Sequence, residues 1–379
     1  STSFKSLTSH LISDNRWKHK SKLLKKLGNK KLMMDADQLL DDLEIKLETL
    51  IKDANKRIKS GDNKSIKIKS DGDKITFTLP YPNADKENHP LFEQVARVSI
   101  ADVLQFTQKH CDYMKAFTHI KPYNAKDTLD PIAIMACIIA NATNLGTYKM
   151  AESCDLSYQR MHTQSKNFLR LETLKDANDA IANAIANLPI FNYWNIHDDY
   201  IHGSVDGQKF ETRLHSFMAR YSSKYFGVNK GVVAYTLCAN HIPVNARVIS
   251  ANHHESHYLF DILFNNSSII DIMWLSGDGH SINQVNFSLL DFIYKQFAPQ
   301  FKRINHKADK LCGFKPINFY KDLMIKPKDK FNRKKFKKEW DNIQRIVASL
   351  LLGETSQHFI VSKLSSHKRK NKTKEALWE

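Results

Sequence analysis

The chain has 379 residues and a formal net charge of +17, from 57 Lys and Arg against 40 Asp and Glu. Its length allows large buried cores and predicts two or three domains. The positive surplus favours a polyanionic partner, of which DNA and RNA are the usual examples. The absence of an apolar run of about 18 residues argues against a membrane-spanning helix and predicts a cytoplasmic protein. The five cysteines form no CxxC pair, which argues against a disulfide framework or a thiolate zinc site.

Residues 1–80 are predicted to form a helical region with one β-hairpin. Between Leu39 and Ile58, apolar residues recur at spacings of three and four, which indicates an amphipathic helix. The stretch "SIKIKSDGDKITFTL" predicts two strands whose apolar residues face each other across an Asp71-Gly72 turn. The proline-containing stretch 80–90 is predicted to be a linker.

Residues 81–194 are predicted to form a second, helical region. Ser99 caps a helix that runs toward Phe117, and "PIAIMACIIANAT" predicts another. Residues 144–161 contain two short helical pieces around a turn, which is a loose helix-turn-helix pattern that could contact DNA. Ordinary helix packing is the alternative, and it is the more frequent cause of such a pattern. A long helix follows over residues 171–188.

Residues 195–310 change to strand-like patterns. Three strands are predicted at Tyr200–Val205, Gly231–Cys238 and Ala246–Ser250. An amphipathic helix, an apolar strand that ends at Asp278 and a helix from Val285 to Tyr294 follow. This is the element order of a ribonuclease-H-like domain. The predicted fold class is therefore an α/β ribonuclease-H-like domain flanked by mainly α-helical regions, α+β overall.

Two carboxylates follow neighbouring strands of that predicted domain. In a ribonuclease-H-like sheet the first and fourth strands lie side by side, so Asp206 and Asp278 are expected to converge at one sheet edge. Each is followed by a glycine, which predicts that the backbone turns away after the carboxylate. Converging carboxylates repel each other unless a divalent cation holds them. The alternative for Asp206 is an ordinary surface residue in a turn.

The region 311–379 is strongly basic. Five side chains in the stretch "KPKDKFNRKKFKKEWD" are candidate phosphate contacts, with Phe331, Phe336 and Trp340 interleaved: Arg333, Lys334, Lys335, Lys337 and Lys338. The run 367–374 repeats this pattern. A solvated helix face is the alternative. Lys209, Arg213 and Lys224 are further candidates for nucleic-acid contact, and surface charge is the alternative for each.

Two other patterns could indicate a metal. His253 and His257 are four residues apart in "HHESH", but Glu255 stands at the wrong offset for a zinc protease, and a helix start is the better interpretation. Asp198 and Asp199 could form an extra metal site, although a loop before the first strand is the more common setting for such a pair.

Several local motifs resemble, in order, the large transposases of the Tn-three family of replicative transposons. "NLGTYKMA" is similar to the family's Asn-Leu-Gly-x-x-Lys-Met-Ala, and "SVDGQKF" to its Ser-Ser-Asp-Gly-Gln-Arg-Phe. "ARYSSKYFGVNKGVVAYT" resembles the family's Ala-Arg-Tyr-Asn-x-Lys-Tyr-Phe-Gly block. "SGDGHSINQVNFSLLDF" resembles the segment that holds the second catalytic Asp, and "FAPQFKRI" its Phe-Ala-Pro-Arg segment. The resemblance covers roughly residues 79–379.

The resemblance implies a DNA transposase with an Asp-Asp-Glu active site. Asp206 and Asp278 would be catalytic and would hold Mg²⁺ or Mn²⁺, and the DNA substrates would be the transposon's double-stranded inverted-repeat ends and the target. A homodimer on DNA and a bacterial, nucleoid-associated location are also implied. Two departures are Gly279 and Ser281, where the family has Thr and Gly.

The third carboxylate of the family is expected to lie beyond the end of this chain. Glu354 and Glu379 are in segments that resemble noncatalytic parts of the family. We therefore expect the chain to bind DNA without cutting it, and a nonenzymatic DNA-binding transposase fragment is the alternative to an enzyme. A ribonuclease-H-like nuclease acting on RNA is a third possibility.

Overall fold

The computed structural model describes residues 7–71, 74–79, 91–94, 96–121, 123, 126–196, 200–213, 216–301, 304, 310–365 and 372–378. The helices are α1 Asp14–Trp17, α2 Lys20–Leu27, α3 Lys30–Met33, α4 Ala36–Lys59, α5 Leu91–Gln94, α6 Ile100–Cys111, α7 Pro131–Ala142, α8 Gly146–Glu152, α9 Tyr158–Phe168, α10 Leu171–Ala186, α11 Pro189–Tyr193, α12 Ser223–Phe226, α13 Leu259–Phe264, α14 Gln284–Phe292, α15 Arg333–Leu351, α16 Gln357–Ser365 and α17 Lys372–Trp378. The strands are β1 Lys67–Asp71, β2 Lys74–Thr78, β3 Ile201–Glu211, β4 Arg220–Tyr221, β5 Lys230–Ala239, β6 Ile242–Ser250, β7 Ile272–Gly277, β8 Gln296–Phe297, β9 Cys312–Gly313 and β10 Asp329–Lys330.

A mixed sheet forms the centre of the structure. Strand β5 pairs antiparallel with β3 on one side, and with β4 and β6 on the other. Strand β7 pairs parallel with β3, and β8 pairs parallel with β7. The predicted adjacency of the first and fourth long strands of this region is therefore confirmed. The predicted mixture of helix and sheet is also confirmed.

Two hydrophobic cores are present among the described residues. The larger joins one face of the sheet to the N-terminal helices and to α15–α17, through residues such as Leu40, Leu237 and Ile343. The smaller lies among the helices of the middle region and includes Tyr113 and Ile134. The N-terminal helices thus share a core with the sheet, because their apolar stripes need a partner surface.

Local sequence signals account for several of the elements. The side chain of Ser99 accepts a hydrogen bond from the backbone N–H of Asp102, so the predicted helix start is confirmed. In the β1–β2 hairpin Ile68 pairs with Phe77, as the alternation predicts. The predicted linker 80–90 and the tip of the hairpin at 72–73 lie outside the described residues. No single helix in the described ranges could span a membrane by length and composition; only α7 and α8 together, bent by 118° at their break, pass that test.

The prediction that a strand ends at Asp206 is wrong. Strand β3 continues through Asp206 and Gly207 to Glu211, and the backbone does not turn after the carboxylate. The physical reason is pairing: β5 supplies an antiparallel partner for every residue from Gly203 to Glu211, with Asp206 opposite Thr236. A ladder of that length outweighs the local turn preference of an Asp-Gly pair.

Candidate active site

Asp206 and Asp278 stand at the same edge of the β3–β7 pairing. The last residues in parallel register are Val205 and Gly277, so the next residue of each chain segment is one of the two aspartates. Neighbouring strands lie about 4.8 Å apart. The register therefore brings the two sequence-predicted carboxylates to one end of a parallel strand pair.

The backbone around each aspartate orients its carboxylate. Asp206 Oδ1 accepts a hydrogen bond from Gly207 N at 2.7 Å, and Asp278 Oδ1 accepts one from His280 N at 2.9 Å. Asp206 is exposed on the face of β3 that carries Ser204 and Gln208, whereas Val205 on the opposite face is buried. These bonds engage one oxygen of each carboxylate and direct the aspartates toward solvent at the sheet edge.

Gly207 serves a packing role that the sequence did not reveal. A Cβ at this position would lie 2.5 Å from Cδ of Glu255 and 2.8 Å from Cγ1 of Val233. Glu255 is 6% exposed and follows β6, in a short 3-10 helix from Glu255 to His257. Gly207 is therefore required because a buried carboxylate occupies the space that its side chain would take.

Lys209 neutralises this buried carboxylate. Its Nζ lies 3.0 Å from Glu255 Oε1 and 4.6 Å from the centroid of the Tyr225 ring. Burial opposes the charged form of Lys209, but the hydrogen bond and the charge of Glu255 outweigh it and raise the pKa of the lysine. Lys209, a predicted nucleic-acid contact, is thus paired within the protein, and Glu255 is a charged residue of the site that the motifs did not indicate.

Tyr235 lies beneath the cluster of carboxylates. Its side chain is fully buried, and burial raises the pKa of its hydroxyl, with smaller contributions from the charges of Glu255, Asp278 and Asp206. Ser281, in the loop after Asp278, is also fully buried, and neither its hydroxyl nor that of Tyr235 has a hydrogen-bond partner among the described residues. Glu255, Asp278 and Asp206 therefore lie close enough to this buried tyrosine for their charges to disfavour its ionisation.

The two aspartate carboxylates at this edge suit a hard divalent cation, and they would supply two of its ligands. Carboxylate oxygens are the ligands that Mg²⁺ prefers, and Asp206 and Asp278 present them at the same strand ends. Glu255 is bound to Lys209 and is buried on the other face of β3. In the described part of the chain, no group of three or more His, Cys, Asp or Glu is placed to hold a metal ion.

The predicted basic contacts differ in their surroundings. Arg333 pairs with Asp41 and with Glu44, Lys335 with Glu375 at 2.7 Å, and Lys337 with Asp37. Lys334 and Lys338 are exposed, and no carboxylate in the described ranges lies within ion-pairing distance of them. Arg213 and Lys224 are exposed near the end of β3 and in α12.

The aromatic residues interleaved with the basic run have a structural role. Phe331, Phe336 and Trp340 are 8%, 7% and 7% exposed, and they pack in the larger core. One face of α15 is thus a core face, and these rings are not available to nucleic acid.

The other candidate residues are placed as follows. The segment His253 to His257 contains the start of the short 3-10 helix, which confirms the predicted helix start. Glu354 forms an ion pair with Arg16. Asp198, Asp199, Glu379 and most of the basic run 367–374 lie outside the described residues.

Together these observations define a mixed helix-and-sheet protein with two aspartates directly after the last paired residues of two parallel strands. The Tn3 transposase DDE domain model matches residues 102–379. The chain therefore belongs to the family of Tn3 transposase DDE domains.

Curated relatives agree with this assignment. The chain is 28% identical over 356 residues to the transposase for transposon Tn3926 of Escherichia coli, which covers 91% of this chain and 35% of that protein. It is 25% identical over 347 residues to the transposase for transposon Tn2501 of Escherichia coli, with 88% and 33% covered. It is 23% identical over 298 residues to the transposase for transposon Tn1546 of Enterococcus faecium, with 78% and 30% covered. The chain spans about a third of the length of these relatives.

Proposed function

We propose that this chain carries two catalytic aspartates of a DNA transposase with a ribonuclease-H-like catalytic domain. The observation that carries the proposal is the parallel register of β3 and β7, after which Asp206 and Asp278 follow directly. Three antiparallel strands, a helix, a parallel strand and a further helix are the order expected for that domain. The family membership and the names of the relatives support DNA as the substrate.

Asp206 and Asp278 would hold Mg²⁺ or Mn²⁺. Ions held by these residues would activate the attacking hydroxyl and would stabilise the charge that develops on the phosphate during strand cleavage and strand transfer. The backbone bonds from Gly207 and His280 fix the orientation of the two carboxylates before the substrate binds. The Lys209–Glu255 pair holds β3 from its buried face.

A DNA-binding fragment without activity is the second candidate. Its motivation is that Glu255, the carboxylate beside β3 at this site, is buried and paired with Lys209 and so is not free to act as a third ligand. A third carboxylate normally helps to fix the ion and the nucleophile, and its absence would cost several orders of magnitude in rate. Double-stranded inverted-repeat ends and target DNA are the proposed partners in both cases, with a homodimer as the proposed arrangement on DNA.

The proposal is tested by metal binding and by cleavage. Mg²⁺ or Mn²⁺ should raise the unfolding temperature of the chain, because an ion that binds only the folded state stabilises it. Asp206→Asn and Asp278→Asn should abolish that rise. The matched control is Asp271→Asn, which changes an exposed carboxylate at the opposite end of β7. A rise that survives both site variants would contradict the proposal.

Cleavage then separates the two candidates. An inverted-repeat DNA end is incubated with the metal and either this chain or a longer transposase of the family that carries the same changes. We expect the longer protein to cut DNA, and Asp206→Asn to reduce its rate by several orders of magnitude. Cleavage by this chain alone that depends on Asp206 would show that its own residues complete the site.

A further inference from the structure

Three aromatic side chains are exposed around the far end of β3. Phe217 is 88% exposed, Tyr221 is 61% exposed and Phe210 is 45% exposed. Large rings are normally buried in a folded chain, as Phe336 and Trp340 of α15 are here. We call the group formed by Phe210, Tyr221 and Lys230 the β4 surface. Arg220 pairs with Gly231, so its side chain starts from the opposite face of the sheet, and Phe217 lies beside it.

A cation accompanies two of these rings. Cζ of Arg220 lies 6.0 Å from the centroid of Phe217, and Nζ of Lys230 lies 5.0 Å from that of Tyr221. The sequence from 208 to 230 contains five Lys and Arg residues (Lys209, Arg213, Arg220, Lys224 and Lys230) and one carboxylate, Glu211. The β4 surface therefore combines exposed rings with positive charge, and it is complementary to a partner with stackable rings and negative charge.

The β4 surface lies on the face of the sheet that carries Asp206. Along β3, Asp206 and Phe210 are four residues apart, so their side chains share a face and their Cα atoms are about 13 Å apart. Phe210 pairs with Val232 and Tyr221 pairs with Lys230, two residues before Val232 along β5. Paired residues of antiparallel strands project to the same face. A strand that reached the aspartates could therefore continue across this face to the rings.

We propose that the β4 surface binds unpaired nucleotides of a DNA strand next to the two aspartates. The proposal rests on the proposed function for its choice of DNA as the polymer. Bases in a duplex are stacked on each other and do not offer their faces, whereas an unpaired base can stack on Phe210 or Tyr221. Lys230 binds a neighbouring phosphate. A contact with duplex backbone alone would need the cations and would leave the exposed rings without a role.

The test compares single-stranded and duplex DNA by fluorescence anisotropy. Phe210→Ala and Tyr221→Ala should each weaken binding of a labelled single strand roughly tenfold, the size expected for the removal of one stacking ring. Binding of the matching duplex should change little. Tyr193→Ala removes a ring that is 81% exposed on α11 and serves as the matched control. Unchanged single-strand affinity in both site variants would overturn the proposal.

Conservative variants exclude a folding defect. Phe210→Leu and Tyr221→Leu keep an apolar side chain but no ring face, so they should lower single-strand affinity as the alanine variants do. Their unfolding temperature should equal that of the unchanged chain. Full binding by the leucine variants would overturn stacking. The unchanged chain could also self-associate through these rings. If that self-association disappeared in the variants while their single-strand binding stayed unchanged, the β4 surface would bind a second copy of the chain, and the proposal would be overturned.

The outcome is independent of the catalytic proposal. Asp206→Asn removes a carboxylate and no ring, so it should leave ring-dependent single-strand binding intact while it abolishes the metal-induced stabilisation. If Asp206→Asn abolishes the metal-induced rise in unfolding temperature but retains single-strand binding, the metal site and the β4 surface act independently. Failure of the metal test alone would remove the catalytic proposal but not the β4 surface.

Discussion

Gly207 separates two different environments on the two faces of β3. Its neighbour Asp206 is exposed at the open face, whereas Glu255 fills the space beside Gly207 on the buried face. Glu255 is held there by Lys209, at 3.0 Å. A buried carboxylate that loses its partner is costly, so this pair stabilises the strand only while both members are present. The sequence motif "SVDGQKF" thus encodes a packing arrangement as well as a candidate ligand.

We predict that Gly207→Ala destabilises the protein. The added methyl group would overlap Glu255 and Val233, and overpacking of this kind costs about 1–3 kcal/mol. Ser204→Ala, an exposed change on the same strand, should alter stability by less than about 0.5 kcal/mol. Urea unfolding of both variants measures the difference.

A double variant tests the cause of that destabilisation. Gly207→Ala combined with Glu255→Ala should reduce stability by less than the sum of the two single changes, because removal of the carboxylate makes room for the methyl group. Additive effects would show that Glu255 is not the group that excludes a side chain at position 207.

Helix α15 joins the C-terminal region to the rest of the protein through its charges and its rings. Lys335 pairs with Glu375 of α17, Lys337 pairs with Asp37 of α4, and Trp340 is buried in the core between them. The basic run that predicted phosphate contacts therefore includes residues that bind the protein's own carboxylates. Lys334 and Lys338 are one helical turn apart and exposed, so they form the part of the run that is best placed for DNA.

We predict that two pairs of lysine variants act differently. Lys334→Ala with Lys338→Ala should flatten the logarithmic salt dependence of duplex binding by about 0.9 for each phosphate that these lysines neutralise, with little effect on stability. Lys335→Ala with Lys337→Ala should lower stability by up to about 1 kcal/mol for each ion pair and leave the salt dependence unchanged. Binding titrations at several salt concentrations and urea unfolding provide the two measurements. If both pairs of lysine variants changed the salt dependence of DNA binding equally, the division of this basic run into DNA-binding and ion-paired lysines would be wrong.

A cluster of histidines couples the stability of the whole molecule to pH. The ring of His358 stacks on His253 with centroids 4.4 Å apart and on Tyr258 with centroids 4.6 Å apart. Burial, followed by the charges of neighbouring histidines, lowers the pKa of both His257 and His358 to about 4. The folded protein therefore resists protonation of side chains that the unfolded chain protonates near pH 6.5.

We predict that stability decreases as the pH falls from about 6.5 to about 4. Because the folded pKa is lowered, the contribution of these histidines is fully present above pH 6.5 and disappears as the unfolded state takes up protons. At about 1.4 kcal/mol per pKa unit the two shifts would sum to several kcal/mol. Because both rings are only partly buried, solvent screening should reduce the combined effect to on the order of 2–3 kcal/mol, and His257→Gln with His358→Gln should remove most of it. His110→Gln, at an exposed position, is the control. The midpoint of urea unfolding is measured for each variant across this pH range. If the midpoints change with pH in the same way in all variants, other groups cause the acid sensitivity.

The sequence by itself determined the elements and the pairing that places the two aspartates. Strand-like patterns predicted β5 and β6, an apolar run predicted β7, and the element order predicted that β3 and β7 are neighbours. The motifs around Asp206 and Asp278 indicated the family, because short segments with fixed glycines and carboxylates are recognisable without any structure. The roles of these aspartates remain predictions.

Only the tertiary structure decided which charges and rings face solvent. Glu255 in "HHESH" is five residues past the end of β6, yet its carboxylate lies beside Gly207 of β3. Aromatic residues interleaved with cations are buried in α15 and exposed around β4, although the two sequence patterns are alike. Burial depends on which other element covers a face, and ion pairing depends on residues hundreds of positions apart, such as Lys337 and Asp37. Periodicity along one segment contains no information about either.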